Sequence, residues 1–218
     1  MKAQKKLLAT AALATFGGLL AAGSALADPV STGWYAGGGI NFASTPSLGS
    51  HVDGALAAQG LGSTATSTHG GDAGAGLRLG YRLSPELAVE ATYDHLDRIR
   101  LQTTLPGDTA AGTWKAHGLG LHVLGSMPLN DKLSLTGRLG VERWRTALDL
   151  GSTTGGATAL SRSSSNTALA VGAGLSYAIN PQLDATAELV HYSRVGNASA
   201  TGHTGLSTVN FGLLYHFG

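Results

Sequence analysis

One pattern constrains this chain more than any other. From Trp34 to the end, apolar and polar residues alternate with period two, segment after segment. Leu133, Leu135, Gly137, Leu139 and Val141 interleave with Ser134, Thr136, Arg138, Gly140 and Glu142. Leu87, Val89, Ala91 and Tyr93 interleave with Ala88, Glu90, Thr92 and Asp94, and Leu183, Ala185, Ala187 and Leu189 with Asp184, Thr186 and Glu188. Segments 34–42, 77–82, 119–123, 169–177 and 209–217 follow the same rule. Successive side chains of a strand point to opposite faces. Each segment is therefore a strand with one apolar face and one face of polar or small residues, which makes eight strands in all.

Two all-β architectures share this pattern. A soluble sandwich turns its apolar faces inward, and a small membrane barrel turns them outward to lipid. Composition separates them. Only 12% of the residues are charged and 33 are glycine. Gly74, Gly76, Gly80, Gly118, Gly120, Gly140, Gly172, Gly174 and Gly212 all fall on the polar faces. An eight-stranded barrel has a lumen just wide enough for side chains, and glycine there leaves room for a few long charged ones. The connections also alternate: tight at Ser84-Pro85, Asn130-Asp131 and Asn180-Pro181, and long over 44–72, 98–112, 149–164 and 195–204. Short periplasmic turns and long outer loops are the habit of outer-membrane barrels. The expected fold is an eight-stranded antiparallel up-and-down transmembrane β-barrel with both termini in the periplasm. The long loops read as mobile, with a short helix over 52–59.

The two ends agree with that compartment. Lys2, Lys5 and Lys6, an apolar run over 7–22 and Ala25-Leu26-Ala27 have the order of a secretory signal peptide. The expected division is a leader at 1–27 and one barrel domain at 28–218. Removing the three lysines leaves 11 basic residues against 13 acidic ones, a net charge of −2, which is no footprint for nucleic acid. No cysteine is present, so the fold stands without disulfides. At the other end Gly212, Tyr215 and Phe217 stand in an apolar strand with an aromatic close. This ending resembles the C-terminal signal read by the outer-membrane assembly machinery. The resemblance implies that machinery, with periplasmic chaperones, as partners.

Taken in order, several pieces resemble the transmembrane domain family of outer membrane protein A: Leu79-Gly80-Tyr81-Arg82, Val89-Glu90-Ala91-Thr92-Tyr93-Asp94, Arg138-Leu139-Gly140 with Trp144-Arg145, Tyr177-Ala178-Ile179-Asn180-Pro181 and Tyr215-His216-Phe217-Gly218, with Trp34-Tyr35 at the first strand. The resemblance implies a Gram-negative outer-membrane barrel with an interior ion-pair network, and Glu90, Arg138 and Glu188 match positions of that network. Leu124 stands where the family has a lysine, and His203 falls near an expected arginine. The family often continues into a periplasmic peptidoglycan-binding domain, and a chain closing at Gly218 is expected to lack that function.

Three groups of residues could carry chemistry. Arg78, Glu90, Arg138, Glu142 and Glu188 all lie on lumen faces. Arg78 and Glu90 are each six residues from Ser84, which places them opposite one another across a hairpin. His122 and Arg138 are each eight from Asn130. Charges in a narrow lumen must be paired or hydrated, so these fill and neutralise it; the alternative is a narrow or gated pore. His191 and Ser193 share a face near the outer rim and resemble the His-x-Ser motif of outer-membrane lipid A deacylases. Arg194 follows where that family has asparagine, and no acid occurs after Glu188 to orient the histidine, although Asp149 could approach from another strand. No catalytic residue is therefore assigned. Finally, Arg98, Arg100, Arg143, Arg145 and Arg194, together with Lys115 and Arg162, lie toward the long-loop end. Arginine binds phosphate in a forked geometry, so the first five are candidates for lipopolysaccharide contact. No metal spacing or cofactor motif is present. The reading is a monomeric structural barrel with surface loops, porin-like in form, whose partners are outer-membrane lipids and lipopolysaccharide.

Overall fold

The computed structural model describes residues 32–217 apart from 45–47, 59, 61–64, 70–72, 106, 154, 156–158 and 198–199. The expected leader lies outside the described residues. In chain order the elements are β1 (Gly33–Ser44), α1 (Leu48–Ala58), β2 (Ala65–His69), β3 (Ala73–Ser84), β4 (Leu87–Leu105), β5 (Asp108–Pro128), β6 (Leu133–Ser152), β7 (Ala159–Asn180), β8 (Leu183–Asn197) and β9 (Gly202–Phe217). Every pairing is antiparallel, and β1 joins both β3 and β9, so eight strands close into a ring. The ninth, β2, is an addition that the period-two pattern did not show. It pairs with the outer half of β4, from Ala65 opposite Thr104 to His69 opposite Arg100, on the edge that β3 occupies lower down.

The expected tight turns form, each around a polar side chain. The hydroxyl of Ser84 accepts the N–H of Glu86, the Asn130 side-chain oxygen accepts the N–H groups of Lys132 and Leu133, and Asn180 accepts that of Gln182. These local bonds replace a ladder that cannot continue round the corner. At the opposite end three of the four expected long loops are mostly strand: β4 and β5 run to Leu105 and Asp108, β6 and β7 to Ser152 and Ala159, and β8 and β9 to Asn197 and Gly202. The β4–β5 turn carries Gly107 at φ +81°, a left-handed conformation that suits glycine.

Outward positions are apolar and open on every strand of the ring. Leu77 is 64% exposed, Leu119 65%, Leu121 63%, Ile40 54%, Leu189 53% and Leu213 51%. A continuous belt of this kind suits hydrocarbon and not water. Inside the belt the lumen is polar.

Above the belt the polarity inverts. Leu96, Ile99, Leu101, Trp114, Trp144, Leu148, Leu150, Val195 and Leu206 are all buried in one apolar cluster inside the outer half of the barrel. On β4 a bulge between Leu96 and Ile99 produces the inversion. Below it even-numbered residues face in; above it Ile99, Leu101, Thr103 and Leu105 do. One extra residue moves every later side chain to the other face. A second bulge between Tyr192 and Val195 turns Val195 inward in the same way.

Helix α1 completes this upper core. Leu48, Val52, Ala55 and Leu56 form a stripe at helical spacing and are buried. The Asp53 carboxylate accepts the Thr66 N–H at 3.2 Å and the Thr66 hydroxyl at 2.6 Å, which ties α1 to β2. On its other side His51 stacks on His203 of β9, ring centres 4.2 Å apart. Burial first, then His51 and Arg194, hold the His203 imidazole below its ordinary value of 6.5. A depressed histidine contributes stability that is lost as pH falls below the unfolded value, so acid loosens this contact. Val52→Asp is expected to release α1, because a carboxylate has no partner in the apolar cluster. Limited proteolysis of the refolded barrel should then show new cuts flanking α1 while the ring stays folded. Unchanged protection would mean that α1 is not held by its apolar stripe.

Candidate functional site

The lumen is organised by one chain of four charges. β4 supplies Glu90, β6 Arg138, β8 Glu188 and β3 Arg78, all pointing inward. Arg138 Nη2 lies 2.7 Å from Glu90 Oε1 and 3.1 Å from Glu188 Oε2, and Arg78 Nη1 lies 2.7 Å from Glu188 Oε2. The Tyr35 hydroxyl donates to Glu90 Oε2 at 3.0 Å. Two acids and two bases thus alternate, and the charge of these four sums to zero.

This geometry corrects the expected hairpin pairing of Arg78 with Glu90. Arg78 stands opposite Thr92, and Glu90 opposite Gly80. Likewise His122 stands opposite Gly140, and Arg138 opposite Leu124. In both hairpins the turn is centred one residue later than expected, which slides the register by two. A slide of two keeps every residue on its face, so the lumen set is preserved while its partners change. The ion pairs form across the lumen instead of along a hairpin.

Glu142 faces the lumen but does not pair with Arg138. It lies instead beside His122, whose Nε2 is 3.6 Å from Oε2 and 3.1 Å from the Thr92 hydroxyl. Two further contacts went unread in the sequence: His216 Nε2 with Asp184 Oδ2 at 3.1 Å, and the Asn41 amide donating to Asp94 at 3.2 Å. Each joins strands far apart in sequence, and only the polar-face alternation hinted at them. The lumen glycines are spaces for these groups. A Cβ at Gly174 would come within 2.6 Å of Glu188 Cγ, one at Gly118 within 2.9 Å of Glu142 Cδ, and one at Gly76 within 2.8 Å of Asp94 Oδ1.

His191 and Ser193 both point outward, but they do not bond to one another. His191 Nδ1 is 2.9 Å from the Ser207 hydroxyl, and Ser193 Oγ accepts the Leu169 N–H at 3.1 Å. Asp149 accepts from Ser161 at 2.7 Å, on the β6–β7 side, and so does not orient His191. A nucleophile needs its base within hydrogen-bond reach, and here the base is turned to another hydroxyl. Of the assembly-signal candidates, Tyr215 and Phe217 are exposed and in edge contact, ring centres 5.3 Å apart, while Gly212 faces Gly39 across the β1–β9 seam. Arg98, Arg100, Arg143, Arg145 and Arg194 are all exposed at the outer end. The first four lie on β4 and β6, and Arg194 lies on β8, separated from β6 by β7.

Comparison with known proteins agrees with this architecture. Outer membrane protein A of Salmonella typhi is 30% identical over 198 residues, covering 89% of this chain and 51% of that protein. Outer membrane protein A of Shigella flexneri is 31% identical over 154 residues, covering 69% of this chain and 42% of that protein. The chain thus spans about half the length of the curated relatives it matches. Among solved structures, Neisserial surface protein A aligns with a TM-score of 0.52 at 16% identity over 84% of this chain and 97% of that one, a likeness of fold alone. The model of the OmpA-like transmembrane domain matches residues 29–218. The chain belongs to the OmpA-like transmembrane domain family and is a β-barrel of the Gram-negative outer membrane.

Proposed function

We propose that this protein is a structural element of the outer membrane that anchors the bilayer and displays its long hairpins, and that it is neither a conduit nor an enzyme. The observation carrying this reading is the filling of the barrel. From the periplasmic side a path would meet the neutralised Glu90–Arg138–Glu188–Arg78 chain, and then the apolar cluster of Trp114, Trp144, Leu148 and α1. An ion crossing that cluster would lose its hydration, with only scattered neutral groups such as the Thr103 and Thr146 hydroxyls to replace it. The separated His191 and Ser193 support the non-enzymatic part. The aromatic ending with Tyr215 and Phe217 supports delivery by the assembly machinery and its chaperones as a monomer.

In a planar bilayer the purified protein should give no discrete conductance steps. Cells lacking it should become detergent-sensitive, and wild type and the His191→Asn, Ser193→Ala double variant should rescue them equally, with unchanged lipid A mass. Steady channels would overturn the closed-barrel reading. Loss of an acyl chain from lipid A that depends on Ser193 would replace it with a hydrolase.

A further inference from the structure

The cations of the outer end are not spread round the rim. Strand register gathers five of the seven, Arg98, Arg100, Lys115, Arg143 and Arg145, on the wall formed by β4, β5 and β6. Tyr93, Leu119 and Arg143 lie side by side, as do His95, His117 and Arg145 in the next outward row. One step further the β4 bulge leaves Asp97 and Arg98 opposite Lys115, and beyond that Arg100, Thr113 and Asp149 align. The next strand, β7, sets Thr167 and Ser165 beside Arg143 and Arg145 and carries Arg162 further out, while β8 beyond it carries His191, Ser193 and Arg194.

Height fixes what the strip meets. Tyr93 and Leu119 are exposed members of the lipid belt, so Arg143 sits in the last apolar row. Arg145 and Lys115 follow at about 7 Å steps along the strands, where acyl chains give way to headgroups. Among the described residues, none of Arg98, Arg100, Lys115, Arg143 or Arg145 ends in an ion pair. The two acids beside them already accept bonds, Asp97 from the Arg98 N–H and Asp149 from Ser161. Forked guanidinium groups at a headgroup plane, with no carboxylate in ion-pair contact and cations outnumbering the two acids, are built for phosphate.

We infer that the strip Lys115–Arg143–Arg145, flanked by His95, His117, Arg98 and Arg100, docks the phosphate groups of lipid A on one side of the barrel. This rests on the proposed orientation with the long hairpins outside. Arg194 is no part of the site, so the barrel is ringed by glycolipid unequally.

The test uses the full-length barrel in nanodiscs offered bisphosphorylated lipid A or its dephosphorylated form, with retained lipid read by native mass spectrometry. Wild type should keep the phosphorylated lipid about tenfold better, a factor equal to ~1.4 kcal/mol. The triple variant Lys115→Ala, Arg143→Ala, Arg145→Ala should lose that preference, and Arg194→Ala should keep it. All four side chains are on the outer face, and heat-modifiable migration verifies that each variant folds. Equal retention of both lipids by wild type would overturn the inference, as would a triple variant that binds normally, an Arg194→Ala variant that binds as poorly as the triple, or displacement by millimolar inorganic phosphate. A tag inserted at Gly155 and probed on intact cells separates the two layers. Protection of the tag defeats the orientation, and with it the site; an accessible tag without lipid preference defeats the site alone.

Discussion

Arg138→Met should destabilise the barrel by about 3–5 kcal/mol, the cost of leaving a buried charge without its partner. Arg138 is the only cation within ion-pair distance of Glu90 among the described residues, at 2.7 Å, and it also holds Glu188 at 3.1 Å. Removing it strands Glu90 in a lumen where the Tyr35 hydroxyl, a neutral donor, is left as its hydrogen-bond partner. Arg78→Met should cost less, because Glu188 keeps Arg138. Double-mutant cycles in a urea titration, scored by heat-modifiable migration, discriminate the pairs. Arg138 with Glu90 should couple strongly, so that removing both costs far less than the singles summed. Arg78 with Glu90 should be close to additive. Strong coupling of Arg78 with Glu90 and additivity of Arg138 with Glu90 would return the hairpin pairing that the register excludes.

Gly39→Val should prevent the barrel from closing. Gly39 lies between Gly76 of β3 and Gly212 of β9, at the seam where the first and last strands meet. A Cβ there would collide with the Phe211 carbonyl oxygen, with Gly212 Cα at 2.7 Å and with the Phe211 carbonyl carbon at 2.8 Å. All three are backbone atoms and cannot swing aside as a side chain would. Overpacking costs of ~1–3 kcal/mol describe cores that can shift. At the closing seam the shift would break the ladder on both edges, so the loss should reach the top of that range or exceed it. Gly125→Ala is the matched control, since a Cβ there meets nothing within 4 Å. It should refold like wild type. A normal heat-modifiable band for Gly39→Val would show that the seam has slack which the geometry does not contain.

The sequence by itself determined the lipid-belt segments of the eight ring strands, their facing and the lumen set. Alternation is local, since each residue's face depends only on its place in its own strand, so Glu90, Arg138, Glu142 and Glu188 could be assigned inward one strand at a time. Glycines on the same faces told that the interior was crowded, and Gly118 beneath Glu142 and Gly174 beside Glu188 bear this out. Tertiary structure alone decided who meets whom. A turn centred one residue later moves Arg78 from Glu90 to Thr92 without changing any face, and nothing in the local pattern resists that slide. It also decided where the alternation changes sense. Ile99 and Leu101, placed in a long loop by the sequence, share the parity of the outward Val89 and Tyr93, so unbroken alternation would have pointed them outward. The bulge after Leu96 turns them to the inside, where α1 and the neighbouring strands bring the rest of the apolar cluster. A bulge is one extra residue whose worth depends on what the following side chains bury. That burial is shared among strands distant in sequence, and only the closed ring brings them together.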